Sequence, residues 1–374
     1  MSNLYIGIMS GTSMDGVDSV LVEFSGQAFS VIAHYSCPFS PELQHELLAL
    51  NQTTTNELHR AALAANQLAK LYAMSVLELL NKQGLKASNI QAIGVHGQTI
   101  RHRPKEFDGI GYTLQINNPA LLAELTQIKV IADFRSRDVA AQGQGAPLVP
   151  AFHLAVFASS SQNIAVLNLG GISNISLLPA NTANMQDAIV GFDCGPANAL
   201  LDGWCLRHKG LPFDESGKWA AQGQVNETLL KLLLAEPFFQ LQPPKSTGRD
   251  LFNLNWLDQK LIGFENLPAQ DVQSTLAQLT AQSVVDTLKQ QQFKADQLLV
   301  CGGGAFNLDL MHRLQTLLVG TKVQDTSVAH LPPMQVEATA FAWLAKQHCE
   351  SLPGNLVSAT GAIGPRILGA CYPA

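Results

Sequence analysis

Two stretches of this chain are built alike. Residues 6–24, IGIMSGTSMDGVDSVLVEF, and residues 163–179, NIAVLNLGGISNISLLP, each pass from a strand-like apolar run, through a glycine turn with hydroxyl or amide side chains, into a second strand. A glycine lets backbone approach a ligand closely, and a tight turn exposes peptide N–H groups that suit phosphate. Taken alone, the first turn reads equally as an ordinary β-hairpin with a glycine bulge. Its recurrence in the second half points to an internal duplication, with convergence of two unrelated hairpins as the alternative.

Size agrees with duplication. At 374 residues the chain exceeds what one core usually encloses, so two domains are expected. The composition is 47% apolar and 14% charged with no apolar run long enough to span a bilayer, and no export signal opens the sequence, so a cytoplasmic protein without a membrane segment is expected. Six scattered cysteines form no C-x-x-C pair, which argues against a zinc site and a disulfide framework. A net charge of −6 and the lack of a basic run leave no electrostatic footprint for nucleic acid, so the expected ligand is small.

Along the chain, LYIGIMS, SVLVEF and FSVIAHYSCPF read as strands, and Ser40-Pro41 starts a helix as N-cap and first residue. A long helix is predicted from about Asn56 to Gln83, with Leu58, Ala62, Ala65, Leu68, Leu71 and Leu79 on one face and Gly84 as its stop. IQAIGVHGQT reads as a buried strand ending at a glycine-flanked histidine. The polar, Gly- and Ala-rich KVIADFRSRDVAAQGQGAPLVPAFH is the expected crossing between lobes. In DQLLVCGGGAFNLDL a buried strand meets Gly302, Gly303 and Gly304 and then a helix with Asn307 near its start, a familiar place for a nucleotide. Neither G-x-G-x-x-G nor G-x-x-x-x-G-K-[ST] occurs, so the dinucleotide fold and the P-loop are unsupported.

Six segments in this order, IMSGTSMDGVD, HGQTIRH, DFRSRDVAAQGQGAPLVP, LNLGGISN, GFDCGPANALLD and CGGGAFN, resemble the anhydro-N-acetylmuramic acid kinase family, within the superfamily of acetate and sugar kinases, Hsp70 and actin. The resemblance implies an α/β fold of two duplicated lobes of the actin-like ATPase (ribonuclease H-like) type with a central nucleotide cleft. It implies a lobe of residues 1–135 plus 355–374 and another of 136–354. It also implies a kinase that takes 1,6-anhydro-N-acetylmuramic acid, ATP and water to N-acetylmuramic acid 6-phosphate and ADP in cell-wall turnover, acting with Mg²⁺ as a homodimer. The implied ATP grip is Gly11, Thr12, Ser13, Met14, Asp15, Gly16, Val17 and Asp18. A second grip falls on Gly170, Gly171, Ser173 and Asn174, and the adenosine corner on Gly302 to Gly304 with Asn307. Where many superfamily members carry an aspartate at the end of the first strand, Met9 and Ser10 stand, which leaves Asp15, Asp18 and Asp193 as candidate metal carboxylates.

An anhydro sugar has no free 6-hydroxyl, so water must attack C1 under a carboxylate base while the departing O6 is captured by the γ-phosphorus. Asp193 in GFDCGPAN is the expected base, and the family's base falls on it; as a bare feature it is also a helix cap. Glu337, by resemblance a sugar contact, reads otherwise as a first-turn glutamate stabilising a helix dipole. His96 and Gln98 either bind substrate or sit in the core, and Arg135 and Asp138 either clamp the lactyl carboxylate or pair with each other.

Overall fold

The computed structural model describes residues 3–11, 16–26, 28–180 and 189–374. Thr12, Ser13, Met14 and Asp15 of the expected ATP grip therefore lie outside the described residues. Two compact units are formed, Met1–Val156 with Gln335–Ala374, and Phe157–Met334.

The first unit begins with β1 (Leu4–Met9), β2 (Gly16–Ser25), β3 (Ala28–Pro38), α1 (Pro41–Ala49) and α2 (Glu57–Gln83). There follow β4 (Ile90–Val95), β5 (Gln98–Pro104), β6 (Gly111–Ile116), α3 (Pro119–Thr126), β7 (Val130–Ala132), α4 (Ser136–Ala140) and α5 (Val149–Phe157). The second unit holds β8 (Ile164–Leu169), β9 (Ile172–Leu178), β10 (Val190–Pro196), α6 (Asn198–Lys209), α7 (Glu227–Leu234), α8 (Leu254–Lys260), α9 (Ala269–Gln290), β11 (Gln297–Cys301), α10 (Leu308–Leu317) and β12 (Lys322–Asp325). The chain then returns to the first unit as α11 (Val336–Cys349), α12 (Val357–Thr360) and β13 (Ala370–Tyr372).

Duplication is visible in the sheets. The first is ordered β13-β7-β4-β1-β2-β3 and the second β10-β9-β8-β11-β12. In each, three strands form an antiparallel meander, and its first strand then runs parallel to the next ones, β1 beside β4 and β4 beside β7 in one unit, β8 beside β11 and β11 beside β12 in the other. This is the strand order of the ribonuclease H-like fold, made twice.

Local signals set most element ends. The Ser40 hydroxyl accepts from Leu43 N at 3.2 Å to open α1, and Gly84, at φ +62°, closes α2. The buried stripe of α2 differs from the expected one: Ala65, Leu68 and Leu79 are buried, but Leu58 is 86% exposed and Ala62 is exposed too. The covered face is instead the pairs Ala64–Ala65, Leu68–Ala69, Tyr72–Ala73, Ser75–Val76 and Leu79–Leu80, a wide stripe that packs with Ile6, Ile8 and Leu21 of the sheet.

The division between units also falls elsewhere than expected. Residues 136–156 and 335–354 lie in the first unit. The expected crossing, residues 129–153, lies within the first unit, where Asp138 ties it down. Asp138, fully buried, accepts from Asn355 Nδ2 at 2.7 Å, Thr360 Oγ1 at 2.8 Å and Gly145 N at 2.8 Å. It makes no ion pair with Arg135 within 4 Å among the described residues, so mutual pairing is not its role.

Opposite the α2 face, α11 lies on the sheet through Gly7 and Gly94, which are register partners on β1 and β4. A Cβ on Gly7 would stand 1.8 Å from Ala338 O, and one on Gly94 2.0 Å from Phe341 O. Gly94→Ala is expected to force α11 off the sheet and lower unfolding free energy by about 3 kcal/mol, the upper range for overpacking. Thermal and denaturant unfolding measure it, and an unchanged stability would show that α11 is not held this closely.

Candidate functional site

In the first unit, the strand end at Val95 delivers His96 beside Arg135. Arg135 Nε donates to His96 Nε2 at 3.0 Å, which leaves the ring's proton on Nδ1. Burial and the neighbouring guanidinium hold the His96 pKa well below its ordinary value, so the ring is neutral. Its face packs on Phe341 of α11 at 4.8 Å between centroids. Arg135 itself is lowered to about 10 by burial, against the opposing charges of Glu337 and Asp138, and its Nη1 donates to Gly145 O at 2.7 Å. Glu337 stands in the first turn of α11, half-buried, and its charge acts on Arg135.

The first turn is tied to this group. Ser10 Oγ donates to Gly97 O at 3.1 Å and meets the Tyr72 hydroxyl at 2.9 Å, and Gln98 Nε2 donates to Gly11 O at 3.2 Å. Gln98 is fully buried, yet its Oε1 has no hydrogen-bonding partner among the described residues. Beyond the turn, Gly16 and Val17 are part of β2, with Val17 buried in the core. Asp18, also on β2, takes the Ser36 hydroxyl and lies 2.9 Å from His34 Nε2 on the same carboxylate oxygen.

In the second unit, Asp193 sits within β10 at a bulge, opposite Asn174 of β9. The helix after it is not capped by Asp193. The position before α6 is Ala197, and the Asp193 Oδ2 accepts from Thr247 N at 2.9 Å. Burial pushes the Asp193 carboxyl up to about 7, although the Thr247 N–H and the Lys245 ammonium pull the other way. Lys245 is buried, its own pKa lowered by that burial, with Nζ 4.8 Å from the Phe238 ring centroid.

The β8–β9 turn carries Gly170 and Gly171, whose carbonyls accept from Asn198 N at 3.0 Å and from Ala197 N and Ala199 N at 3.1 and 3.0 Å. Ser173 is buried with its hydroxyl on Gly195 O at 3.0 Å, so it braces the turn from within. At the third glycine group, Gly302 (φ +77°) and Gly304 are demanded by the protein, since a Cβ would come to 2.3 Å from Asn168 Oδ1 and 2.5 Å from Leu169 Cβ. Asn307 caps α10 by accepting from Leu310 N at 3.0 Å. Gly170, Gly171 and Gly303 are different: a Cβ there would meet nothing nearer than 3.6 Å, and none of the three has positive φ. Their lack of a side chain answers no need of the fold, and it leaves bare backbone that a phosphate or base can approach.

Sequence comparison decides the family. The model of the anhydro-N-acetylmuramic acid kinase family matches residues 3–374. A protein of that name from Albidiferax ferrireducens is 56% identical over 100% of both chains, one from Variovorax paradoxus 56% identical over 99% of each, and one from Cupriavidus metallidurans 53% identical over 100% of this chain and 98% of its own. The chain belongs to the anhydro-N-acetylmuramic acid kinase family.

For a member of the anhydro-N-acetylmuramic acid kinase family, the notable omission of the sequence reading is KSTGRD, residues 245–250, which supplies Lys245 and Thr247 around Asp193 and places Arg249 beside Gly171. Its signal is legible: a glycine with hydroxyls beside it, as in the first turn, and two cations that the first turn lacks.

Because the Asp193 pKa is near 7 in the folded chain against an ordinary 3.8, the folded state keeps a proton that the unfolded state releases. Stability contributed at this site therefore falls as pH rises from about 4 to about 7. Asp193→Asn lacks that penalty, so its melting temperature should exceed that of the parent by most above about pH 7 and by least near pH 4. A difference independent of pH would show that this carboxyl is not perturbed.

Proposed function

We propose that the chain is an ATP-dependent kinase that opens 1,6-anhydro-N-acetylmuramic acid with water and phosphorylates O6, giving N-acetylmuramic acid 6-phosphate and ADP in peptidoglycan recycling. The observation that carries this reading is Asp193, a desolvated carboxyl poised near neutral pH beside a bare glycine turn, in a chain of this family. A base is most useful when its pKa lies close to the working pH.

In the proposed reaction Asp193 takes a proton from water as the water oxygen bonds C1. The C1–O6 bond breaks, its electron pair stays on O6, O6 bonds the γ-phosphorus, and the bridging oxygen leaves with ADP. Thr247 N–H holds Oδ2 of Asp193, and in this reading Oδ1 takes the proton from water. The Lys245 ammonium favours the ionised form and so keeps burial from raising the pKa further.

The glycine turns at Gly11 and at Gly170–Gly171 take the phosphates, with Gly303 at the adenosine. The described residues bring together no group of three His, Cys, Asp or Glu side chains that could hold a metal ion, and one Asp18 oxygen is already engaged by Ser36 and His34. Mg²⁺ enters as MgATP, on the phosphates of the substrate, with Asp15 and Asp18 as its candidate carboxylates. His96, Gln98, Arg135 and Glu337 receive the sugar. Arg135, still cationic at neutral pH, suits the lactyl carboxylate.

The reading also holds that the enzyme works in the cytoplasm as a homodimer. Light scattering should then give a mass near twice the chain's 40.2 kDa, and a single-chain mass would remove the dimer.

Turnover of the anhydro sugar with MgATP in ¹⁸O-water should place one label on the C1 hydroxyl of the product; product without label would mean transfer to a pre-existing hydroxyl. Asp193→Asn should keep nucleotide affinity and lose about a thousandfold or more in kcat, in the upper range for loss of a general base. The parent's kcat/KM should rise with pH through about 7, and Lys245→Met should move that limb upward.

A further inference from the structure

Around the β6–α3 junction, amide side chains are satisfied one after another, with one exception. Gln115 Nε2 donates to Thr113 Oγ1 at 2.8 Å and to Thr99 Oγ1 at 3.2 Å. Asn118 Oδ1 caps α3 through Leu121 N at 3.0 Å, and its Nδ2 donates to Asn66 Oδ1 at 2.7 Å. Asn117, between them, has both Oδ1 and Nδ2 enclosed and unpartnered among the described residues. Burying a primary amide with neither end bonded is costly, and such a group in a native protein calls for an explanation.

Its position suggests one. A Cβ on Gly97 would lie 3.3 Å from Asn117 Cβ, so Asn117 stands against the strand connection that carries His96 and Gln98. Gln98, paired in register with Ile116, adds the unpartnered acceptor Oε1. The best match to Asn117 Oδ1 and Nδ2 together is a group that sets a donor and an acceptor on neighbouring atoms, as a second amide does. Among the substituents of an anhydro-N-acetylmuramic acid, a carboxylate only accepts and a hydroxyl offers a single atom. The acetamido group offers N–H and C=O side by side.

We propose that Asn117 is a specificity-determining residue that reads the 2-acetamido group of the sugar, Oδ1 accepting from its N–H and Nδ2 donating to its carbonyl. This rests on the activity proposed above. Buried polar groups left unpaired by an analogue are a strong source of discrimination, stronger than a missing methylene.

The test compares two substrates, 1,6-anhydro-N-acetylmuramic acid and the analogue with hydroxyl in place of acetamido at C2, in the parent and in Asn117→Leu and Asn117→Asp. Asn117→Leu should lower kcat/KM for the acetamido substrate by about 100-fold, the equivalent of two lost hydrogen bonds, mainly through KM. The analogue's kcat/KM should change by less than about threefold. Asn117→Asp keeps the acceptor but sets a carboxylate against the acetamido carbonyl, and its loss should likewise be confined to the acetamido substrate; it decides the matter if the Leu variant does not fold. Equal losses on both substrates, or a lowered melting temperature with discrimination unchanged, would mean that Asn117 only holds a buried water or braces the fold, and would overturn the inference. Failure of the parent to turn over the acetamido sugar at all would instead overturn the activity itself, and this inference with it.

Discussion

In the first unit the whole arrangement of polar groups depends on a helix backbone lying in contact with a strand backbone. Only hydrogen fits at Gly7 and Gly94, because Ala338 O and Phe341 O occupy the space of their side chains. Since the two glycines are neighbours across β1 and β4, they form a shallow trough instead of two separate gaps. The helix that fills it returns to this unit after 178 residues of the second one, Phe157–Met334. It brings Phe341 under the His96 ring and Glu337 within the field of Arg135. A side chain at either glycine would tilt that helix and move the group as a whole, so the trough works as a positioning device as much as a packing one.

Three ionisable groups, Asp138 fully buried and Asp193 and Arg135 partly so, show how differently one fold treats charge. Asp138 is fully buried and receives an amide N–H, a side-chain amide and a hydroxyl, so its charge is compensated and its work is structural. Asp193 receives one backbone N–H and a lysine that makes no ion pair with it within 4 Å among the described residues, and its pKa rises to about 7. Arg135 is lowered to about 10, with only partial compensation from Glu337 and Asp138. An under-compensated charge is unstable toward anything that would complete it, whether a proton, a substrate carboxylate or a polarised water. The contrast between the two aspartates separates a carboxyl that the fold satisfies from one that it leaves under-compensated, without reference to motif.

Much of this was legible in the sequence, and the limits were physical. Cap chemistry at Ser40-Pro41, Gly84 and Asn307 is local, and it located element ends correctly. The α2 stripe was partly misread at Leu58 and Ala62 because periodicity reports which residues share a face, not how far the covering sheet extends. The segment through Arg135 and Asp138 reads as a lobe crossing because its composition is polar and rich in glycine and alanine. Its partners, Asn355 and Thr360, lie more than two hundred residues onward, and such long-range satisfaction leaves no local trace. The turn that carries Lys245 is visible by composition, but its place beside Asp193 is not, since nothing near it in sequence tells that Asp193 N bonds the Lys245 carbonyl.

Glycines illustrate the same limit and carry the functional argument further. Gly302, Gly303 and Gly304 are indistinguishable in sequence, yet the first and last are required by the proximity of Asn168 and Leu169, while the middle one is not. Gly170 and Gly171 are likewise free of steric demand from the protein. Replacing a glycine that the fold does not need should be neutral or slightly stabilising, because it restricts the unfolded chain. Leaving such a position bare therefore costs stability, and a ligand that needs backbone at that distance offsets the cost. Phosphate, which is bound through peptide N–H groups at close range, has that requirement, whereas a sugar ring held by side chains does not. The unneeded glycines thus offer backbone that the second unit leaves open, while Gly302 and Gly304 answer to the packing of Asn168 and Leu169.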